Sequence, residues 1–167
     1  MLDAPEEFTE FAGAYAARLR RTAYLLCGNW HTAEDLTQIA LTQTLLSWRR
    51  LSRLDNAPAY AHRSLVNAYL GHRRSRKSRE LPVALPPDAA GPAGTTELRL
   101  VLLRALDTLT PSARAVVVLR YWEDLSIGQV AAMLQCSTGN VKSQSSRALA
   151  QLRAVLGDTL LDLPVTD

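Results

Sequence analysis

The amino-acid sequence predicts an all-α protein made of two small helical domains joined by a Pro/Gly-rich linker. Apolar residues recur at helical spacing through most of the chain, and no long alternating β-branched run interrupts them. Residues 81–95 read Leu-Pro-Val-Ala-Leu-Pro-Pro-Asp-Ala-Ala-Gly-Pro-Ala-Gly-Thr, with four prolines and two glycines. That composition excludes a regular helix, and a structureless stretch of this length is unusual within one compact domain but ordinary between two. Residues 123–153 then divide into two helices around a tight turn, the layout of a helix-turn-helix. The expected organisation is a three-helix bundle over 1–80, a flexible linker over 81–96, a helix-turn-helix domain over 97–157 and a short tail over 158–167.

Each predicted helix has its own signals. The first runs from Phe8 to Leu26 and stops at Gly28, a good residue just past a helix C-terminus. The second opens near Thr32, where Thr32-Ala33-Glu34-Asp35 resembles a capping box, and continues to Leu51. The third starts at Pro58, a comfortable first-turn position, and carries on through a basic run toward Arg79. Beyond the linker, a helix from Glu97 to Leu109 places Leu98, Val101, Leu102, Ala105 and Leu109 on one side. Thr110-Pro111 supplies an N-cap and a first-turn proline for a helix through Trp122. Ser126 and Gln129 form a capping box for the next helix, which ends near Leu134, and Ser137 caps a last helix reaching Leu156.

Composition narrows the function classes. A 47% hydrophobic fraction in 167 residues is enough for packed cores. Nineteen basic and sixteen acidic residues leave a charge of only +3, but the charges are unevenly placed. Arg63, Arg73, Arg74, Arg76, Lys77 and Arg79 fall in a stretch without an acid, whereas Asp3, Glu6, Glu7 and Glu10 crowd the first ten residues. Such asymmetry suits one phosphate-facing surface and another facing protein or solvent. Cys27 and Cys136 have no zinc-type spacing, and His31, His62 and His72 form no ligand set with them. They read as two buried thiols and three surface histidines. No metal site, cofactor, phosphate loop or nucleophile–base pair is visible, which argues against an enzyme. The chain shows no signal peptide and no apolar run long enough for membrane insertion, so a cytoplasmic location is expected.

On the last helix, Val141, Ser145, Ala148, Leu149 and Leu152 share an inward side. Gly139, Ser143, Ser146, Arg147 and Ala150 lie opposite, flanked by Asn140 and Lys142. Small residues let a helix approach a groove, and Arg147, Ser143 and Ser146 can serve base edges or phosphates. Ala131 and Val141 also keep the ten-residue core spacing of a helix-turn-helix. A solvated amphipathic face is the bland alternative, and the acid-free front with Lys142, Arg147 and Arg153 favours DNA.

The second helix is apolar on two sides, with Leu36, Ile39, Ala40 and Leu51 on one and Leu41, Leu45 and Trp48 on the other. Asp35, Gln38, Thr42 and Arg49 form a heptad-like polar stripe between them, suited to lying along a partner helix. An ordinary solvated strip is the alternative. Glu34 and Asp35 point about 100° apart on a helix and so do not form an acid–base pair. On the third helix, Leu65, Ala68 and Tyr69 can pack inward while Arg63, Asn67, Arg74 and Lys77 look outward. The density of Arg73, Arg74, Arg76, Lys77 and Arg79 favours phosphate contact over a merely soluble face. Tyr60, His62, Tyr69 and His72 interleave with these bases and offer planar groups for stacking on unpaired bases.

These residues resemble a bacterial sigma factor of the sigma-70 family, of the short extracytoplasmic-function (group IV) type. Ala33-Glu34-Asp35-Leu36-Thr37-Gln38 is similar to the Ala-Glu-Asp-Leu-Val-Gln motif of region 2.2. Thr108 to Arg114 and Ser126 to Arg153 resemble region 4, above all at Cys-Ser-Thr-Gly-Asn-Val-Lys-Ser-Gln from Cys136 to Gln144. The resemblance implies a region 2 bundle and a region 4 helix-turn-helix that bind core RNA polymerase and promoter DNA to start transcription. It implies that Asp35, Gln38, Thr42 and Arg49 dock on the clamp helices of the largest subunit, with the flap as a second contact. Arg63, Asn67, His72, Arg73, Arg74, Arg76 and Lys77 would then take the -10 element. Ser137, Asn140, Lys142, Ser143, Ser146 and Arg147 would read the -35 element. Family members often work with an anti-sigma factor, a further candidate partner.

The chain departs from the family pattern at Asn140 (usually Thr), Gln144 (often Arg), Gln129 (commonly Glu) and Gln135 (often Gly). The alternative reading is a two-module helix-turn-helix regulator that binds a duplex operator. It accounts for residues 97–156 equally well but leaves the polar stripe and the basic third helix unexplained.

Overall fold

The computed structural model describes residues 4–51, 56–78 and 97–157. Every regular element among them is helical, and the chain divides into two compact units, Met1–Ala90 and Gly91–Asp167. The all-α, two-domain class therefore holds. The expected linker over 81–96 and tail over 158–167 lie outside the described residues.

The first unit is a bundle of α1 (Glu6–Cys27), α2 (Trp30–Leu46) and α3 (Ala57–Ser78), each packed on the other two. Gly28 ends α1 in the left-handed conformation (φ 74°), and its N–H donates to the Tyr24 carbonyl at 2.7 Å. The cap of α2 is Asn29, whose side chain accepts from the Thr32 N–H at 3.0 Å. This corrects the capping box expected at Thr32: that residue is already inside the first turn and supplies the donor.

The core joins Leu19, Ala23 and Leu26 of α1 to Leu36 and Ala40 of α2 and to Leu65, Val66 and Tyr69 of α3. The buried stripe of α2 also takes Thr37 and Thr44, whose hydroxyls donate to the Ala33 and Ala40 carbonyls at 2.7 and 2.8 Å. Because these hydroxyls are satisfied within the helix, they bury without an orphaned polar atom. The helix stops at Leu46 rather than Leu51. Ser47 bonds the Tyr60 hydroxyl at 2.6 Å, and Trp48 turns back onto Phe8 (5.4 Å between ring centroids, 82°) and Phe11 (5.6 Å). Aromatic packing and the Ser47–Tyr60 bond together favour the turn over a further helical turn.

The second unit contains α4 (Glu97–Asp107), α5 (Pro111–Val117), a π-helical turn (Val118–Trp122), α6 (Ile127–Leu134) and α7 (Thr138–Leu156). The inward side of α4 is Leu103, Ala105 and Leu106, with Leu109 just beyond it. Leu98 and Leu102, expected on that side, are exposed. Thr110 caps α5 by accepting from the Ala113 N–H at 3.2 Å, with Pro111 at the first position. Arg114 is buried and donates to Asp107 at 2.6 Å, which ties the end of α4 to α5. The Ser126–Gln129 capping box is complete, with bonds of 3.1 and 2.8 Å.

Candidate functional site

The helix-turn-helix presents its reader through the turn between α6 and α7. Gln135 adopts the left-handed conformation (φ 54°, ψ 48°), and its N–H and that of Cys136 both reach the Ala131 carbonyl. A side chain there costs about 1 kcal/mol relative to glycine, so the turn forms without the glycine the family pattern favours. Ser137 then caps α7 by accepting from the Asn140 N–H at 3.0 Å.

The two faces of α7 separate cleanly. Val141, Ser145, Ala148 and Leu152 are buried, while Gly139, Asn140, Lys142, Ser143, Ser146, Arg147 and Ala150 are exposed. The structure thus brings together the residues expected to read DNA, and α7 carries no acidic residue. Three side-chain bonds anchor its rear: Gln144 to Ser112 at 3.1 Å, Ser145 to Tyr121 at 3.2 Å, and Gln151 to the Thr108 carbonyl at 2.8 Å. The reader helix is therefore held from α5, the π-helical turn and the α4–α5 corner, which fixes how its front faces outward.

In the first unit, Asp35, Gln38 and Thr42 are exposed along α2. Arg49 is exposed too, but it sits in the turn after the helix, so the heptad-like stripe ends before it. Two apolar residues not assigned to the stripe from the sequence lie on this face: Ile39, read there as part of an apolar side, is 47% exposed, and Leu46 is 62% exposed. Asp35, Gln38, Ile39, Thr42 and Leu46 span an arc of about 100°. The sequence signal for them was the excess of apolar residues on α2 over what a three-helix bundle can bury.

The basic helix does not present its candidates on one face. At 100° per residue, Arg63, Asn67 and Arg74 fall within about 40° of one line, whereas His72 lies roughly opposite. All four are exposed, as is Arg73, and Arg76 is half-buried. Lys77 lies on α3, but its side chain falls outside the described residues, as does all of Arg79. Although its side chain is exposed, partial desolvation lowers the His72 pKa, the Arg76 and Arg73 guanidinium groups lower it further, and Asp35 partly opposes them. Asp35 also lies 3.9 Å from His31, one turn earlier on α2. The expected row of stacking groups is not formed. His62 and Tyr69 are buried, and Tyr60 is bonded to Ser47, because the bundle consumes those planar rings. The histidines are accordingly not all on the surface, and both thiols are half-buried.

Among the described residues, no helix is long and apolar enough to cross a membrane, and no cluster of three or more His, Cys, Asp or Glu side chains is arranged to hold a metal.

Comparison with known proteins matches both units. The family model for sigma-70 region 2 matches residues 11–79, and that for sigma-70 region 4 matches residues 99–152. The RNA polymerase sigma-E factor of Streptomyces avermitilis is 38% identical over 158 residues, covering 93% of this chain and 88% of that protein. The protein of the same name from Streptomyces coelicolor is 37% identical over 152 residues, covering 90% and 86%. The ECF RNA polymerase sigma factor SigE of Mycolicibacterium smegmatis is 35% identical over 157 residues, covering 88% and 60%. Among solved structures, the sigma factor RpoE from Bartonella quintana, crystallised with the anti-sigma factor NepR, shares the fold. Its TM-score is 0.77 at 24% identity, covering 91% of this chain and 98% of that one.

Proposed function

The chain belongs to the sigma-70 family of RNA polymerase sigma factors, in its extracytoplasmic-function type, and we propose that its two units divide polymerase docking and promoter reading between α2, α3 and α7. As a bacterial sigma factor it binds core RNA polymerase and directs promoter recognition, opening and transcription initiation. It does so by binding rather than by catalysis.

In this reading the α2 face lies along the clamp helices of the largest polymerase subunit. Ile39 and Leu46 supply apolar contact, and Asp35, Gln38 and Thr42 supply polar pairing. Arg49 contributes from the adjoining turn. Arg63, Asn67 and Arg74 form one row toward the -10 element, with Arg73 and Lys77 beside it, while His72 and Arg76 border the docking face. Ser137, Asn140, Lys142, Ser143, Ser146 and Arg147 read the -35 element from the front of α7, whose helix enters the major groove. The exposed Leu98 and Leu102 on α4 are the apolar surface for the flap. The segment over 81–96 joins the two readers, and an anti-sigma factor would act by covering one of these faces.

The observation that carries this assignment is the α2 face: two large aliphatic side chains exposed beside a polar stripe, on a helix whose other side is already in the core. A two-module operator binder leaves that face without an occupant.

The test is transcription in vitro with core polymerase over a promoter pool, comparing the wild type with the double variant Asp35→Lys, Gln38→Lys. The wild type gives defined starts. The variant, folded by circular dichroism, loses both core co-purification and transcription. Retention of core binding by the variant would remove α2 from the docking assignment.

A further inference from the structure

A hydrogen-bond relay reaches the front of α7 from another helix, through the rear of α7. The Ser112 hydroxyl on α5 donates to the Gln144 amide oxygen at 3.1 Å, and the Gln144 amide nitrogen donates to the Asn140 side-chain oxygen. Gln144 is half-buried behind the reader face, whereas Asn140 is exposed in the first turn of α7. In a helix-turn-helix, the N-terminal residues of the recognition helix meet base edges. Asn140 is therefore placed to touch DNA and Gln144 is not. Asn140 and Gln144 are also two positions at which the chain departs from the sigma-70 pattern, so the relay belongs to this chain's own residues.

We infer that Gln144 is a positioning residue for promoter specificity: with Ser112, it holds the Asn140 amide with its oxygen turned inward and its NH2 group outward. The chemical consequence is specific. A free asparagine reads adenine bidentately, accepting from N6–H and donating to N7. With its oxygen turned toward Gln144 and one lone pair engaged there, Asn140 presents its NH2 donors, not a coplanar donor–acceptor pair, to a base edge. It then reads a single acceptor on a base edge and does not demand adenine.

The inference rests on α7 as the -35 reader, and the experiment separates the two. Holoenzyme carrying each variant transcribes a pool of promoters randomised across the -35 element, and active sequences are counted. Asn140→Ala identifies the base-pair column that Asn140 reads. Gln144→Ala frees the amide, so the ratio of A·T to other pairs in that column rises roughly fivefold or more, while the other columns hold. Ser112→Ala cuts the relay from its far end on an exposed residue, and shifts the same column in the same direction by less. In the Asn140→Ala background, Gln144→Ala adds no shift.

Four results overturn the inference. These are a wild-type column that already demands A·T, a column unmoved by Gln144→Ala, an even loss across all columns, and a shift that survives without Asn140. An Asn140→Ala variant with no altered column overturns the reader assignment itself.

Discussion

If α2 docks through its exposed aliphatic pair, trimming Ile39 and Leu46 to alanine must weaken core binding without harming the fold. The free chain leaves Leu46 62% and Ile39 47% exposed, and that surface is what docking would remove from water. Full burial of such a side chain stabilises by about 1.5–3 kcal/mol, so the exposed fractions correspond to about 1–2 kcal/mol for Leu46 and about 1 kcal/mol for Ile39. Alanine keeps Cβ, which leaves a loss of about 1.5–3 kcal/mol for the pair, or roughly 10- to 150-fold in Kd. Competition against fluorescent wild-type protein for core polymerase, followed by anisotropy, measures this range. Both residues face solvent, so unfolding stability should stay within about 0.5 kcal/mol of wild type. A folded double variant that competes within threefold of wild type would show that this face is not buried against polymerase.

Four more outcomes are expected. Ser126→Ala removes the hydroxyl that accepts the Gln129 N–H and lowers the denaturant stability of the second unit by about 1 kcal/mol; an unchanged midpoint would mean the cap contributes nothing. Arg114→Ala removes a buried side chain bonded to the exposed Asp107 and costs about 1–2 kcal/mol by the same assay, from the lost hydrogen bond and the packing of its stem. Arg147→Ala lowers promoter discrimination by about 1–3 kcal/mol if the guanidinium pairs with a base, and an equal loss on every sequence in a binding titration would place it on phosphate. His72 has its pKa lowered from the ordinary 6.5 by burial and by Arg76 and Arg73, so the fold favours the neutral ring. Its contribution is intact above pH 6.5 and is lost as pH falls through the lowered value; thermal melts across that window should fall for the wild type and flatten for His72→Gln.

The fold was largely legible because its signals are local. Gly28, Thr110-Pro111, Ser126–Gln129 and Ser137 each act through backbone bonds within one turn, and all four occur as expected. The misplacements were made where tertiary contact competes with local preference. Asn29 displaced Thr32 as a cap, and α2 ended early because Trp48 found Phe8 and Phe11, residues some forty positions away in the chain. The burial of His62 escaped for the same reason, and Tyr69, read both as core and as a stacking group, is core: a planar residue on a basic helix looks alike from sequence whether it meets nucleic acid or a core.

Sequence alone settled the helical class, the two-part organisation and the front of α7, since 3.6-residue periodicity and capping chemistry depend on near neighbours. Three things waited for the packed chain. Ile39 and Leu46 are exposed because three helices bury only one stripe of α2. His62 and Tyr69 are buried because the bundle core takes those rings. Asn140 is oriented because Ser112, thirty-two residues before Gln144, comes within hydrogen-bonding reach of it. Each depends on which distant surfaces meet, and no local periodicity encodes that.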